Sequence, residues 1–245
     1  MLWLIDVSRV IAMPIRRFCC VFLPDPIRMT EKKIVDFRVY TMRSGGVDEF
    51  LRLAKLHMLP VQSRHLGQPL AFYKTEIGQQ EEVMHLWGFD SLADMERRRA
   101  FRDADSQWGT YLSESDGLIE RQENTVLKQV PIKINHDDTR RDDLTVMQIK
   151  VSTVKRGRMS ELLSAYEKRG LPVLQKNRVG IAGIYTSEVG SLNKFIQITA
   201  HDNYAAIEAL NQKLAANAEW RAFRNHADDL VVSQTTKIAR QIQMS

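Results

Sequence analysis

His85 and Trp87 stand two residues apart in "EEVMHLWGFD", so on an extended strand both side chains leave the same face. Val83 and Phe89 share that face. An apolar wall with one titratable tip suits a small-molecule pocket, because imidazole changes charge near neutral pH. The same residues also fit a buried histidine, satisfied by a backbone group beside a core tryptophan. In "IVDFRVY", Asp36, Arg38 and Tyr40 likewise share one face of a strand. Polar side chains there need partners or a cavity if the strand lies mid-sheet, and need neither if that face is wet. Arg97, Arg98 and Arg99 are consecutive on a helical stretch, so they cannot all face one ligand. One or two could reach an anion; a solvated face is the plainer interpretation.

Other chemistries are missing from the sequence. It has no GxGxxG, P-loop, CxxC or HExxH motif, so nothing calls for a nucleotide, a flavin, haem or zinc. The six histidines show no tight metal-ligand spacing, and no nucleophile elbow supports a Ser-His-Asp or Cys-His site. We therefore expect no metal and no cofactor. The two cysteines, Cys19 and Cys20, are adjacent and cannot staple distant segments, which points to a reducing cytoplasm. The formal charge is +5, but residues 1–33 already hold six basic and three acidic residues. A basic body that would mark a nucleic-acid binder is absent, and no apolar run reaches the roughly 20 residues of a membrane span.

The elements that must position these residues are written twice. With Pro60 set on Pro172, an offset of 112 pairs Gly45 with Gly157, Tyr73 with Tyr185 and Glu76 with Glu188. It also pairs Gly78 with Gly190, Trp108 with Trp220 and Gln122 with Gln234, all without a gap. One module has been duplicated. Each copy predicts a strand with period-two alternation (Val35, Phe37, Val39), then a helix ending just before Pro60. A hairpin follows, from "PLAFYKTEIG" to "EEVMHLWGFD", then a helix capped at Ser91 and a last strand "LIERQENTVLKQV". That order, β-α-β-β-α-β, is ferredoxin-like and of the α+β class. A sheet with helices on one face leaves its other face apolar, so two copies should pack sheet to sheet as a pseudo-dimer. We expect an N-terminal extension without fixed structure at 1–33, modules at 34–130 and 144–240, and a polar linker at 131–143.

"IVDFRVYTMRSGGVDEFL", "VMHLWGFDSLADMERRR", Trp108 and "RQENTVL" resemble the NIPSNAP family, closely over residues 34–130 and more weakly over the second copy. The resemblance implies a dimeric α/β barrel, related in architecture to the cofactor-free antibiotic-biosynthesis-type monooxygenases. It also fits a bacterial-type cytoplasmic protein. The family pattern falls on Arg38, Tyr40, His65, Gly67, Glu76, Gly78, His85, Trp87, Arg97, Arg98 and Trp108. The second copy departs from it with Lys150, Ser152, Asn177, Gln197, Thr199, Ala209 and Leu210. It keeps Pro172, Tyr185, Glu188, Gly190 and Trp220. The retained positions are turns and core, and the lost ones are polar. The expectation is thus one pocket, in the first module, with His85 and Arg38 as candidate catalytic residues. Tyr40, His65, Glu76, Trp87, Arg97 and Arg98 are candidates to line it.

Three functions fit: a binder of a small organic molecule, a cofactor-free monooxygenase or isomerase, and a non-catalytic assembly scaffold. In the second, His85 would take a proton and Arg38 or Arg97 would steady the anion. A small organic ligand and a homo-oligomer are the expected partners, without nucleic acid or membrane. The composition break at Met29 also gives a testable expectation. A chain starting at Met29 should melt at the same temperature as the full chain; a large fall or insolubility would contradict it.

Overall fold

The computed structural model describes residues 32–131 and 146–244. Most of the expected N-terminal extension and all but Pro131 of the expected linker lie outside the described residues. β1 (Ile34–Met42) leads to α1 (Val47–Leu53), which passes through one π-helical turn (Ala54–Met58) into α2 (Leu59–Leu66). β2 (Ala71–Ile77) and β3 (Glu82–Phe89) form the hairpin. α3 (Leu92–Asp103), α4 (Ser106–Glu114) and β4 (Ile119–Gln129) complete the module. The second module repeats it with β5 (Val146–Val154), α5 (Met159–Ala165), a π turn (Tyr166–Gly170) and α6 (Leu171–Lys176). β6 (Gly180–Val189), β7 (Lys194–His201), α7 (Tyr204–Ala216), α8 (Ala218–Leu230) and β8 (Val231–Gln241) follow.

Two local features differ from the sequence expectation. Pro60 does not mark a helix end. The Leu59 amide donates to the Ala54 carbonyl five residues back, and this wider turn sets Pro60 into the first turn of α2, where a missing N–H matters little. Pro172 repeats the arrangement after the Tyr166–Gly170 turn. The last helix of the module is also two helices. Ser91 caps α3 by accepting from the Asp94 amide, and Asp105 caps α4 by accepting from the Gln107 amide at 3.0 Å.

The strands close into one barrel in the order β1-β3-β2-β8-β5-β7-β6-β4. Each module contributes a four-stranded antiparallel sheet, and its apolar face looks across the interior at the other module's. Val35, Phe37, Tyr73, Met84 and Leu86 meet Ile149, Tyr185, Ile196 and Ile198 there. The edges join as well: β2 pairs with β8 and β4 with β6. Closure leaves no strand edge unpaired, which is a stronger solution than face packing alone. Gly78 (φ +125°) and Gly190 (φ +98°) turn the two equivalent hairpins, so the repeat keeps glycine where other residues would be strained. No helix among the described residues is long and apolar enough to cross a membrane.

One seam carries a buried ion pair. Glu82 is 1% exposed and accepts from Lys237 Nζ of the other module at 2.6 and 2.7 Å, and from Thr75 Oγ1 at 2.8 Å. Lys237→Met would leave that carboxylate buried without its cation. It should lower unfolding free energy by about 3 kcal/mol, measured by denaturant titration. A change near zero would mean that water reaches Glu82 and the pair adds little.

Candidate functional site

Alternation fixes the layer in which the polar residues lie. Val35 and Phe37 point into the barrel, so Asp36, Arg38 and Tyr40 must point at the helices of their own module. They are not wet: Asp36 is 0%, Arg38 3% and Tyr40 4% exposed. β3 runs antiparallel beside β1 with Arg38 opposite His85 and Asp36 opposite Trp87, which brings all five side chains together. Phe72 on β2 is opposite His85 on its other side and stacks on the imidazole at 4.8 Å between centroids. Tyr40 meets the same ring edge-on at 4.7 Å.

The Asp36 carboxylate is the anchor of the cluster. Arg38 Nε donates to its Oδ2 at 2.6 Å, and Arg99 Nη2, arriving from α3, donates to the same oxygen at 2.6 Å. Asn124 on β4 donates to Oδ1 at 3.3 Å. Burial works against the Arg38 charge, but Asp36 and then Tyr40 outweigh it and hold its pKa above the ordinary value. Burial raises the Tyr40 pKa, and Arg38 opposes it only in part. One carboxylate against two guanidinium groups leaves a net charge of +1 in the cluster, with the Arg99 side chain 30% exposed.

His85 is fully buried, and its pKa lies well below the ordinary value, first through burial and then through Arg38. Its ring is therefore neutral. Trp87 Nε1 lies 2.7 Å from His85 Nδ1, and an indole nitrogen can only donate, so Nδ1 must accept. The single proton of the neutral ring is then on Nε2. That N–H is buried and has no acceptor, which costs about 1–3 kcal/mol in an ordinary core. In this arrangement neither ring nitrogen is free to take a proton: Nε2 already carries one and Nδ1 accepts from Trp87. Among the described residues four more side-chain atoms are buried without partners: Arg99 Nε, the Tyr111 hydroxyl on α4, and Nε2 and Oε1 of Gln62 on α2.

The remaining sequence candidates have other contacts. His65 Nε2 is 2.8 Å from the Asp105 carboxylate that caps α4. Arg97 and Arg98 both bind Asp94, at 2.5 and 3.0 Å, and Arg98 also donates to the Leu66 carbonyl at 3.1 Å. Glu76 binds Arg240 at 2.7 Å and accepts from Tyr204, across the module seam. The structure thus groups Arg38, Tyr40, His85 and Trp87, and does not add His65, Glu76, Arg97 or Arg98 to them. Sequence reasoning missed Arg99 and Tyr111. Arg99 was one of three consecutive arginines, and only the phase of α3 shows which one turns inward. Among the described residues no group of three His, Cys, Asp or Glu side chains could hold a metal ion.

The second module shows what this layer looks like without the cluster. Gln197 stands where His85 does, and its Nε2 donates to the Tyr166 hydroxyl at 3.0 Å. Tyr166 stands where Ala54 does. The side chain that answers the strand donor in one module is therefore missing in the other.

A pH dependence follows. The native His85 ring stays neutral, while the unfolded one gains a proton below about pH 6.5. Its contribution is thus full above pH 6.5 and is lost as pH falls towards the lowered native pKa. His201, lowered to about 4 by burial and then by Lys150, adds to the same window. His85→Gln should remove its own share of the loss between pH 6.5 and 5, so that its stability falls less steeply than wild type's in paired denaturation curves. Parallel curves for the two proteins would show that His85 gains no proton on unfolding.

The NIPSNAP family model matches residues 35–133 and 147–245. A NIPSNAP family protein with unknown function from Agrobacterium tumefaciens is 30% identical, over 42% of this chain and 93% of that one, with a TM-score of 0.40. An uncharacterised NIPSNAP-like domain protein from Burkholderia xenovorans is also 30% identical, over 43% of this chain and 91% of its own, at a TM-score of 0.40. An anthrone oxidase-like protein shares the fold over 88% of this chain and 93% of its own, with a TM-score of 0.60 at 10% identity. No curated protein matches the chain. The family model covers both halves, and so this protein belongs to the NIPSNAP family, with two of its domains in tandem.

Proposed function

We propose that the first module binds a small organic molecule between its sheet and its helices, gripping an electron-rich oxygen of that molecule with His85 and Arg38. The observation that carries this reading is the buried His85 Nε2–H without an acceptor. A buried donor left unpaired is a reason to look for a missing acceptor. The net charge of +1 selects an anionic or polarised oxygen. The aromatic surroundings, Tyr40, Phe50, Phe72 and Trp87, favour a flat, apolar body behind it. A phenol or an enolisable aromatic ketone has both parts.

A second reading is a cofactor-free oxygenase or isomerase, and one feature favours it. A neutral imidazole N–H beside a guanidinium would steady an enolate or phenolate oxygen better than the neutral parent, and that difference lowers a barrier to forming the anion. The anthrone oxidase-like protein of similar fold is in keeping with such chemistry. However, no member of this cluster is free to take the substrate's proton: Nε2 of His85 already carries one, and Asp36 is tied to two arginines. Binding is therefore the better supported reading. Dioxygen uptake with an anthrone, if seen, would promote the second.

4-Nitrophenol tests the proposal, because its phenol and phenolate absorb at different wavelengths. The protein is expected to bind it as phenolate at pH values where the free compound is largely protonated. Arg38→Met and His85→Leu should each weaken that binding by at least about tenfold. Binding in the neutral form, or unchanged binding by both variants, would contradict the proposal.

A further inference from the structure

The second module replaced the cluster of the first in an uneven way. Lys150 keeps a cation where Arg38 stands, but Gln148 replaces Asp36 and Asn211 replaces Arg99. The cation stayed and its carboxylate went. Arg224, at the place of Leu112, adds a second cation. Both line a cleft of about 30 Å³ between the sheet and α5 and α8, together with Ser152, Gln197, Gln234 and Tyr166. No acidic residue lines it.

The hydrogen bonds leave the cleft short of acceptors. Gln197 donates to the Tyr166 hydroxyl at 3.0 Å, and Ser152 donates to Gln234 Oε1 at 3.2 Å. Arg224 binds Asp228 one turn along its own helix at 2.7 Å, outside the cleft lining, and donates from Nη1 to Gln234 Oε1 at 3.4 Å. Lys150 has neither a hydrogen bond nor an ion pair among the described residues. Burial, and after it the charge of Arg224, lower its pKa, and no carboxylate opposes them. A half-buried ammonium with a second cation nearby and no counter-ion is unfavourable unless an anion comes from outside.

We propose that this cleft binds a small carboxylate, of formate or acetate size, with Lys150 as the principal ion partner and Arg224 as the second. Size argues for this class. The cleft is small, about 30 Å³, and a planar carboxylate fills less of it than a tetrahedral oxyanion does. The site is separate from the His85 cluster and does not depend on the function proposed for it.

Carbon-13 formate, titrated into the full chain at constant ionic strength and followed by line broadening, tests the proposal. Saturable broadening is expected, and inorganic phosphate at equal concentration should leave it intact. Lys150→Met should weaken binding by at least about tenfold, and Lys150→Arg should keep it. Removing an unpaired buried cation does not threaten the fold, and Arg224→Gln, which should weaken binding less, supplies a second variant. Broadening that does not saturate, that phosphate abolishes, or that is equal in Lys150→Met and wild type would overturn the proposal.

Discussion

A strand with one face in a closed barrel and the other under helices has no wet side, and that constraint governs this protein. β1 sends Val35 and Phe37 into the barrel, so Asp36, Arg38 and Tyr40 must be satisfied in a dry layer. The module meets the demand with two arginines on one carboxylate and an indole N–H on an imidazole nitrogen. It meets it incompletely at the His85 Nε2–H. In a layer where an unpaired donor is costly, this N–H stands out by its place among the rings of Tyr40 and Phe72.

The two modules are a controlled comparison within one chain. They share the barrel, the hairpin glycines and the π turn before a proline, because closure and turn geometry demand these of both. Between sheet and helices they diverge. The second module answers its strand donor with Tyr166 and strands a lysine, whereas the first strands a histidine N–H and builds an ion cluster. The fold tolerates either solution. The difference between them is therefore not dictated by the barrel.

Much of this was legible in the sequence. The repeat, the hairpins and the shared faces of His85 with Trp87 and of Arg38 with Tyr40 follow from periods of two and an offset of 112. Sheet-to-sheet packing followed from an apolar face that needed cover, and the barrel from the resemblance to the family. The π turns did not, because Pro60 reads locally as a helix stop and only the five-residue hydrogen bond shows otherwise. Arg99 did not, because exposed Leu92 and Phe101 blur the apolar stripe that would phase α3. His65, Arg97 and Arg98 fit the family pattern, yet in this chain His65 binds the Asp105 carboxylate that caps α4, Arg97 binds Asp94 within α3, and Arg98 ties α3 to α2. The tautomer of His85 needed an atom-level contact that no spacing rule contains.

The central claim is that His85 is a neutral donor with its proton on Nε2. Nitrogen-15 chemical shifts of the labelled His85 ring, recorded from pH 8 down to pH 5.5, test it directly. The account predicts a protonated Nε2 and an unprotonated, hydrogen-bonded Nδ1 across the whole range. A ring that titrates to imidazolium within it, or that carries its proton on Nδ1, would contradict the account.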